Sequence, residues 1–156
     1  MPTALIVFIA LTVAGLLVHV LCMRILAWRG VTVRRTKFGL TLLFDTADDD
    51  GTPVRMLNVN GAFQSAAYAT DELWSELACE YQREQARIVS ELPRLSRAAV
   101  IGGGGFSFPK WLVTHLPPVR VSVVEIDEKI IDIARESFGL DRLERGHVLL
   151  VRAIGG

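Results

Sequence analysis

From Ala4 to Met23 the chain runs without a charged residue, and Thr12 and His19 are only mild polar interruptions. A helix of that length rises roughly 30 Å, the depth of a bilayer's hydrocarbon core. The run therefore sets what is left for folding: the soluble part must be built from about Arg29 to Gly156. Other readings of the run fit less well. A cleaved signal peptide opens with basic residues and ends at a small-residue cleavage site, whereas this chain opens Met1-Pro2-Thr3 and its run is too long. A buried core helix of this length is out of proportion to a chain of 156 residues. The sequence predicts a membrane anchor over residues 1–28, with membrane lipid as its partner. Arg24, Arg29, Arg34, Arg35 and Lys37 close or follow the run, so the positive-inside rule places a single-pass chain with its C-terminal part in the cytoplasm. His19 is expected near the interface or against another helix, without a special role.

Charge excludes one class of partner. The 17 basic and 17 acidic residues cancel, and no basic surplus points to nucleic acid. Arg34, Arg35 and Lys37 read as a topology signal in reach of anionic headgroups. Cys22 and Cys79 do not make a disulfide framework, and a cytoplasmic setting predicts free thiols. Neither has a partner at metal-ligand spacing. The run Asp48-Asp49-Asp50 before Gly51 reads as a solvated hairpin tip rather than a cation site. Homo-oligomerisation is left open.

The remainder reads as α/β. Thr36 to Phe44 predicts a strand, Asp45 to Pro53 a loop, and Val54 to Val59 the returning strand, closed by Asn60-Gly61. Residues 29–68 thus form a small antiparallel β-unit. Thr70 and Asp71 are set to cap a helix that carries Leu73, Trp74, Leu77, Tyr81, Ile88, Val89 and Leu92 at helical spacing. This amphipathic helix links the units over residues 69–95 and ends near Pro93; Trp74 and Tyr81 are read into its core face. Residues 96–156 then alternate: strand Arg97–Ile101, a helix from about Pro109 to His115, strand Val119–Ile126, helix Glu128–Phe138 stopped by Gly139, and strand His147–Val151. That order predicts a partial Rossmann-like parallel sheet.

Four glycines, Gly102 to Gly105, follow the first of these strands directly. Backbone amides can approach a phosphate or nucleoside only where side chains are absent, and Gly102, Gly103 and Gly104 supply that clearance. The match to G-x-G-x-x-G is imperfect, since Ser107 stands at the third glycine position. Glu125 ends the second strand about twenty residues on, where a carboxylate can accept hydrogen bonds from ribose hydroxyls. Asp127 immediately precedes the next helix and is the better candidate for its cap.

The stretch VIGGGGFSFPKWL, followed by VSVVEIDEKIIDIAR, resembles the first two motifs of spermidine synthases, the polyamine aminopropyltransferase family. That family is a branch of the class I S-adenosylmethionine-dependent methyltransferase fold. Upstream, MLNVNGAFQSA is similar to the family's small N-terminal β-unit. The resemblance covers roughly Thr36 to Val151, and the family has membrane-attached members with a hydrophobic N-terminal region. It implies aminopropyl transfer to a small-molecule amine. The donor would be decarboxylated S-adenosylmethionine, bound as substrate rather than as a tightly held cofactor. It also implies that Gly102 to Gly104 line the donor's methionine part, that Glu125 holds its ribose, and that Gln64 faces the active site. Tyr81, in ELACEYQRE, is similar to a tyrosine near the substrate.

The chain departs from the pattern too. Gly105 stands where aminopropyltransferases usually carry an aspartate near the donor's amino group. The family's fourth strand, whose aspartate takes the amine's proton, lies beyond Gly156. Where the family's third strand usually ends in an acid, this sequence reads Arg152-Ala153-Ile154-Gly155-Gly156. The expectation is a truncated spermidine synthase-like chain whose catalytic residues are unknown and which is inactive by itself. The alternatives are an S-adenosylmethionine-dependent methyltransferase-like protein and a non-catalytic membrane-anchored remnant or interaction module.

Overall fold

The computed structural model describes residues 2–117, 119–144 and 148–152. Helix α1 (Pro2–Trp28) takes up the apolar run. It is long and apolar enough to cross a membrane. Its side chains from Thr3 to Ile25 are all exposed, so the folded body covers none of them. A helix apolar on every side finds no match for that surface in water.

Four strands follow as an antiparallel meander, in the order β1 (Thr32–Thr36), β2 (Gly39–Ala47), β3 (Pro53–Val59) and β4 (Ala62–Tyr68). β2 and β3 occupy the two predicted strands, although β2 runs on to Ala47, into the stretch expected to be loop. β1 and β4 were not expected, because Arg34-Arg35 interrupts the branched residues of TVRRT and AFQSAAY is mostly small or polar residues. They are strands because a neighbour pairs each of them along its length. Asn60-Gly61 makes the two-residue hairpin between β3 and β4, with φ of 51° and 81°. The Asn60 side chain also accepts from the Leu40 N–H at 3.0 Å and donates to the Phe38 carbonyl, so one hairpin pins the next. Asp48 caps its own tip, accepting from the N–H groups of Asp50 (3.1 Å) and Thr52 (2.8 Å).

The predicted helix from Asp71 to Leu92 is shorter in fact. α2 spans Glu80–Ser90, and its N-cap is Cys79 in an extended conformation rather than Thr70 or Asp71. The residues from 71 to 78 form turns with their own path, so Trp74 and Leu77 are not in phase with the helix. Both still pack on the core. Within α2 the buried positions are Gln82 and Ala86, one turn apart. Tyr81 is 50% exposed, which corrects its assignment to the core.

A parallel sheet completes the described chain. β5 (Arg97–Ile101), α3 (Ser107–His115), β6 (Arg120–Glu125), α4 (Glu128–Ser137), α5 (Leu140–Glu144) and β7 (Val148–Arg152) follow in sequence. The strands lie in the order β5-β6-β7, all parallel. α3 starts two residues before Pro109, and α5 was not foreseen. His147, expected to open the last strand, lies outside the described residues. One core joins the two sheets: Leu43 and Leu57 of the antiparallel sheet cluster with Phe106, Val121, Val123 and Ala134.

α3 carries a charge into that core. Lys110 is 2% exposed. Its Nζ donates to the Phe138 carbonyl at 3.0 Å and lies 5.9 Å from the Trp74 ring centre. Burial, with the Arg142 charge as a smaller cause, pushes its amine from 10.5 down to about 8. The folded value lies below the unfolded one, so the unfolded chain binds more protons between them. Stability therefore rises with pH across that window. Lys110→Met removes the effect. Urea denaturation at a series of pH values should show the wild type gaining roughly 3 kcal/mol on the variant between about pH 8 and 10.5. Parallel curves for the two proteins would show that Lys110 does not titrate this way.

Candidate functional site

β5 delivers the chain into the glycine turn, and the four glycines meet different demands there. Gly102 and Gly104 adopt φ of +80° and +51°, which side chains disfavour. Gly103 and Gly105 are required for space. A Cβ on Gly103 would lie 2.3 Å from the ring of Phe106, which is fully buried. A Cβ on Gly105 would lie 2.8 Å from the Phe138 ring and 2.9 Å from Ser65 Oγ. Position 105 is therefore a packing contact between the turn, α4's end and β4. Ser107, at the third glycine position of the motif, is likewise structural. It is buried, and its hydroxyl donates to the Ala66 carbonyl of β4 at 2.8 Å.

Glu125 ends β6 beside this turn and is 8% exposed. Its Oε2 accepts from the N–H groups of Gly103 at 2.8 Å and Gly104 at 3.4 Å. Its Oε1 accepts from the Asp127 N–H at 3.0 Å. A carboxylate offers about four lone-pair sites. With three engaged, Glu125 can take roughly one further hydrogen bond, such as one ribose hydroxyl, without releasing the turn. Asp127 performs the expected cap, accepting from the Lys129 N–H at 3.0 Å. It also accepts from the Lys37 N–H at 2.6 Å, which ties α4's start to the β1–β2 turn.

The sites picked from the sequence share one cleft of about 430 Å³ between the two sheets. Gly102, Gly103, Gly104 and Glu125 line one side, and Gln64 of β4 lines another. Tyr81 also lines it, and partial burial raises its phenol above the ordinary value, so it stays protonated at neutral pH. Polar lining residues were missed, among them Thr36, Ser65, Gln82 and Gln85. Gln82 sits among Arg83, Glu84 and Arg87, on what reads as a solvated helix face. Its inward position follows from where α2 starts, which propensity did not show. The floor is apolar, with Leu57, Val59, Val100, Phe108 and Ile130.

No protein-family model matches the sequence, and no curated protein matches it. Solved structures match the fold. A probable spermidine synthase from Corynebacterium glutamicum superposes with a TM-score of 0.58 at 22% identity, over 78% of this chain and 44% of that one. A spermidine synthase in complex with the transition state analogue AdoDATO gives 0.59 at 16% identity, over 79% and 39%. The spermidine synthase from Thermotoga maritima gives 0.58 at 17% identity, over 79% and 40%. Over the part they share, the chain thus has the fold of these spermidine synthases, the family its motifs resemble. It spans 39% to 44% of the length of these structures.

The packing of Gly105 gives a test of the turn. Gly105→Ala should cost about 1–3 kcal/mol in urea denaturation, as overpacking does. Phe138→Leu in the same chain should recover part of that cost. A Gly105→Ala chain as stable as the wild type would mean that the turn does not pack against Phe138 and Ser65.

Proposed function

We propose that this chain carries the donor-nucleoside corner of a spermidine synthase-like transferase. It binds S-adenosylmethionine or its decarboxylated form at the glycine turn, while α1 holds it in a membrane with the folded part on the cytoplasmic side. One observation carries the reading: the glycine turn after β5 and Glu125 at the end of the adjacent β6 open into the same cleft, with Gln64 entering from the other sheet. Ligands of open parallel sheets bind at these strand ends. The spermidine synthase solved with AdoDATO supports a donor of this kind.

In aminopropyl transfer an amine lone pair attacks the carbon beside a sulfonium. The carbon–sulfur bond breaks, and sulfur leaves with its electrons as a neutral thioether. An ammonium has no lone pair, so a base must first take its proton. Glu125 is the one acid among the described residues that line the cleft, and the turn already engages it. The described residues therefore bind and orient. Glu125 accepts a ribose hydroxyl, Gln64 meets the ligand from β4, and the protonated Tyr81 offers a donor near the amine acceptor. A methyltransferase-like activity would use the same corner, and the closed position at Gly105 favours it to the extent that no carboxylate there selects the decarboxylated donor.

Calorimetry on the full chain in detergent micelles tests the binding. S-adenosylmethionine, its decarboxylated form and 5′-methylthioadenosine supply the nucleoside, and at least one should bind. Gln64→Leu should weaken that binding about tenfold, a loss near 1.4 kcal/mol, without lowering the melting temperature. Failure of all three compounds to bind would sink the reading. For the topology, a C-terminal green fluorescent protein fusion should fluoresce and an alkaline phosphatase fusion should be inactive; the opposite pair of results would put the folded part on the other side.

A further inference from the structure

We propose that the folded part lies along an anionic membrane leaflet, held there by β1 and the β1–β2 turn, so that one rim of the cleft sits at the headgroup layer. The proposal rests on the reading of α1 as a membrane span and adds a second, charge-dependent contact with the same membrane.

The join between α1 and β1 leaves little freedom. Gly30 adopts a φ of +73°, and the N–H groups of Gly30 and Val31 donate back to the carbonyls of Ala27 (3.0 Å) and Leu26 (2.9 Å). This pair of bonds is a Schellman turn, which fixes how the chain leaves the helix. β1 opens at Thr32, so at most about 14 Å of chain separates it from Trp28 at the end of the span. Trp28 is itself 85% exposed, at the level where indole rings settle between lipid and water.

A strand leaving the leaflet upright would carry its far end roughly 16 Å into solution. The side chains favour a strand that lies flat. Arg29, Arg35 and Lys37 are exposed and spaced along its whole length, and Phe38 and Leu40 beyond it are 53% and 52% exposed. Register explains their shared face. Arg35 stands opposite Leu40, and Asn58 lies between Leu42 and Phe63. Thr41, Leu43 and Leu57 alternate with these residues and are buried, so Arg35, Leu40, Leu42 and Phe63 look outward from the core. Arg34 is engaged elsewhere, 3.2 Å from Glu136. Anionic headgroups attract the cations, and apolar side chains at that level sink into the acyl boundary. A neutral leaflet supplies only the second attraction. Thr36 and Phe38 also line the cleft, so a flat β1 brings that rim to the membrane.

The test places the isotope-labelled full chain in lipid nanodiscs, one chain per disc, with a trace of gadolinium-chelating lipid. Discs of phosphatidylcholine are compared with discs holding about 30% phosphatidylserine. Paramagnetic relaxation of the amides of residues 33–40 should rise at least about threefold in the anionic discs, evenly along the segment. It should fall back at about 1 M salt, where the Debye length is about 3 Å. Arg35→Glu with Lys37→Glu should abolish the rise, and Phe38→Ser with Leu40→Ser should reduce it. Equal relaxation in the two lipids overturns the proposal, as does a steady decline from Val33 to Leu40, the mark of an upright strand. A contact at residues 33–40 that forms only in discs holding two chains assigns the face to a second copy and overturns it too. Should the charge-reversed chain not fold, the lipid and salt comparison on the wild type decides. A chain that does not enter discs at all overturns the membrane reading of α1 and the docking with it.

Discussion

Glu125 accepts backbone hydrogen bonds from Gly103 and Gly104 on one side and from Asp127 on the other. It thereby joins the turn after β5 to the start of α4. Those two segments end adjacent strands of the parallel sheet, so one side chain sets the gap into which a ligand would fit. Asp127 extends the arrangement through its bond to Lys37, and Ser107 through its bond to Ala66. Both link the parallel sheet to the antiparallel one. With the shared core, these bonds hold the two sheets so that Gln64 and the glycine turn line one cleft.

The same bonds change what the carboxylate can do. Read alone, an acid at the end of the second strand appears free to take both ribose hydroxyls. Placed in the fold, most of its accepting capacity is used by the protein. Roughly one lone-pair site is left for a further partner. Gly105 follows the same logic. In the sequence it is a missing aspartate; in the fold it is a contact with Phe138 and Ser65 that leaves an aspartate no room. The packing that needs a glycine here leaves the position without a charge.

Much of this was legible in the chain. The parallel units showed as short β-branched strands alternating with helices, and the glycine turn and Glu125 showed by their spacing. The Asn-Gly hairpin was visible because its turn demands those residues. β1 and β4 were not, since adjacent arginines in one and small or polar residues in the other mask a strand that its neighbour's pairing completes. α2 was misjudged at its start: apolar residues in the turns before it matched the helical period and drew the boundary some nine residues too early. That error hid Gln82. A polar residue buried one turn from Ala86 gives no periodic signal. α1 was the plainest segment, because a helix of 27 residues with Arg24 as its one basic residue and no acid is apolar on all sides and needs no partner to be recognised.

The central claim is that a nucleoside enters the cleft at the glycine turn and meets Glu125 there. Backbone amide resonances of an isotope-labelled chain in micelles, followed as 5′-methylthioadenosine is added, test it most directly. The account predicts that Gly103, Gly104 and Asp127 show some of the largest shifts, and that Glu125→Gln abolishes them. Saturable binding that leaves these three amides unmoved, with shifts elsewhere in the fold, would contradict it.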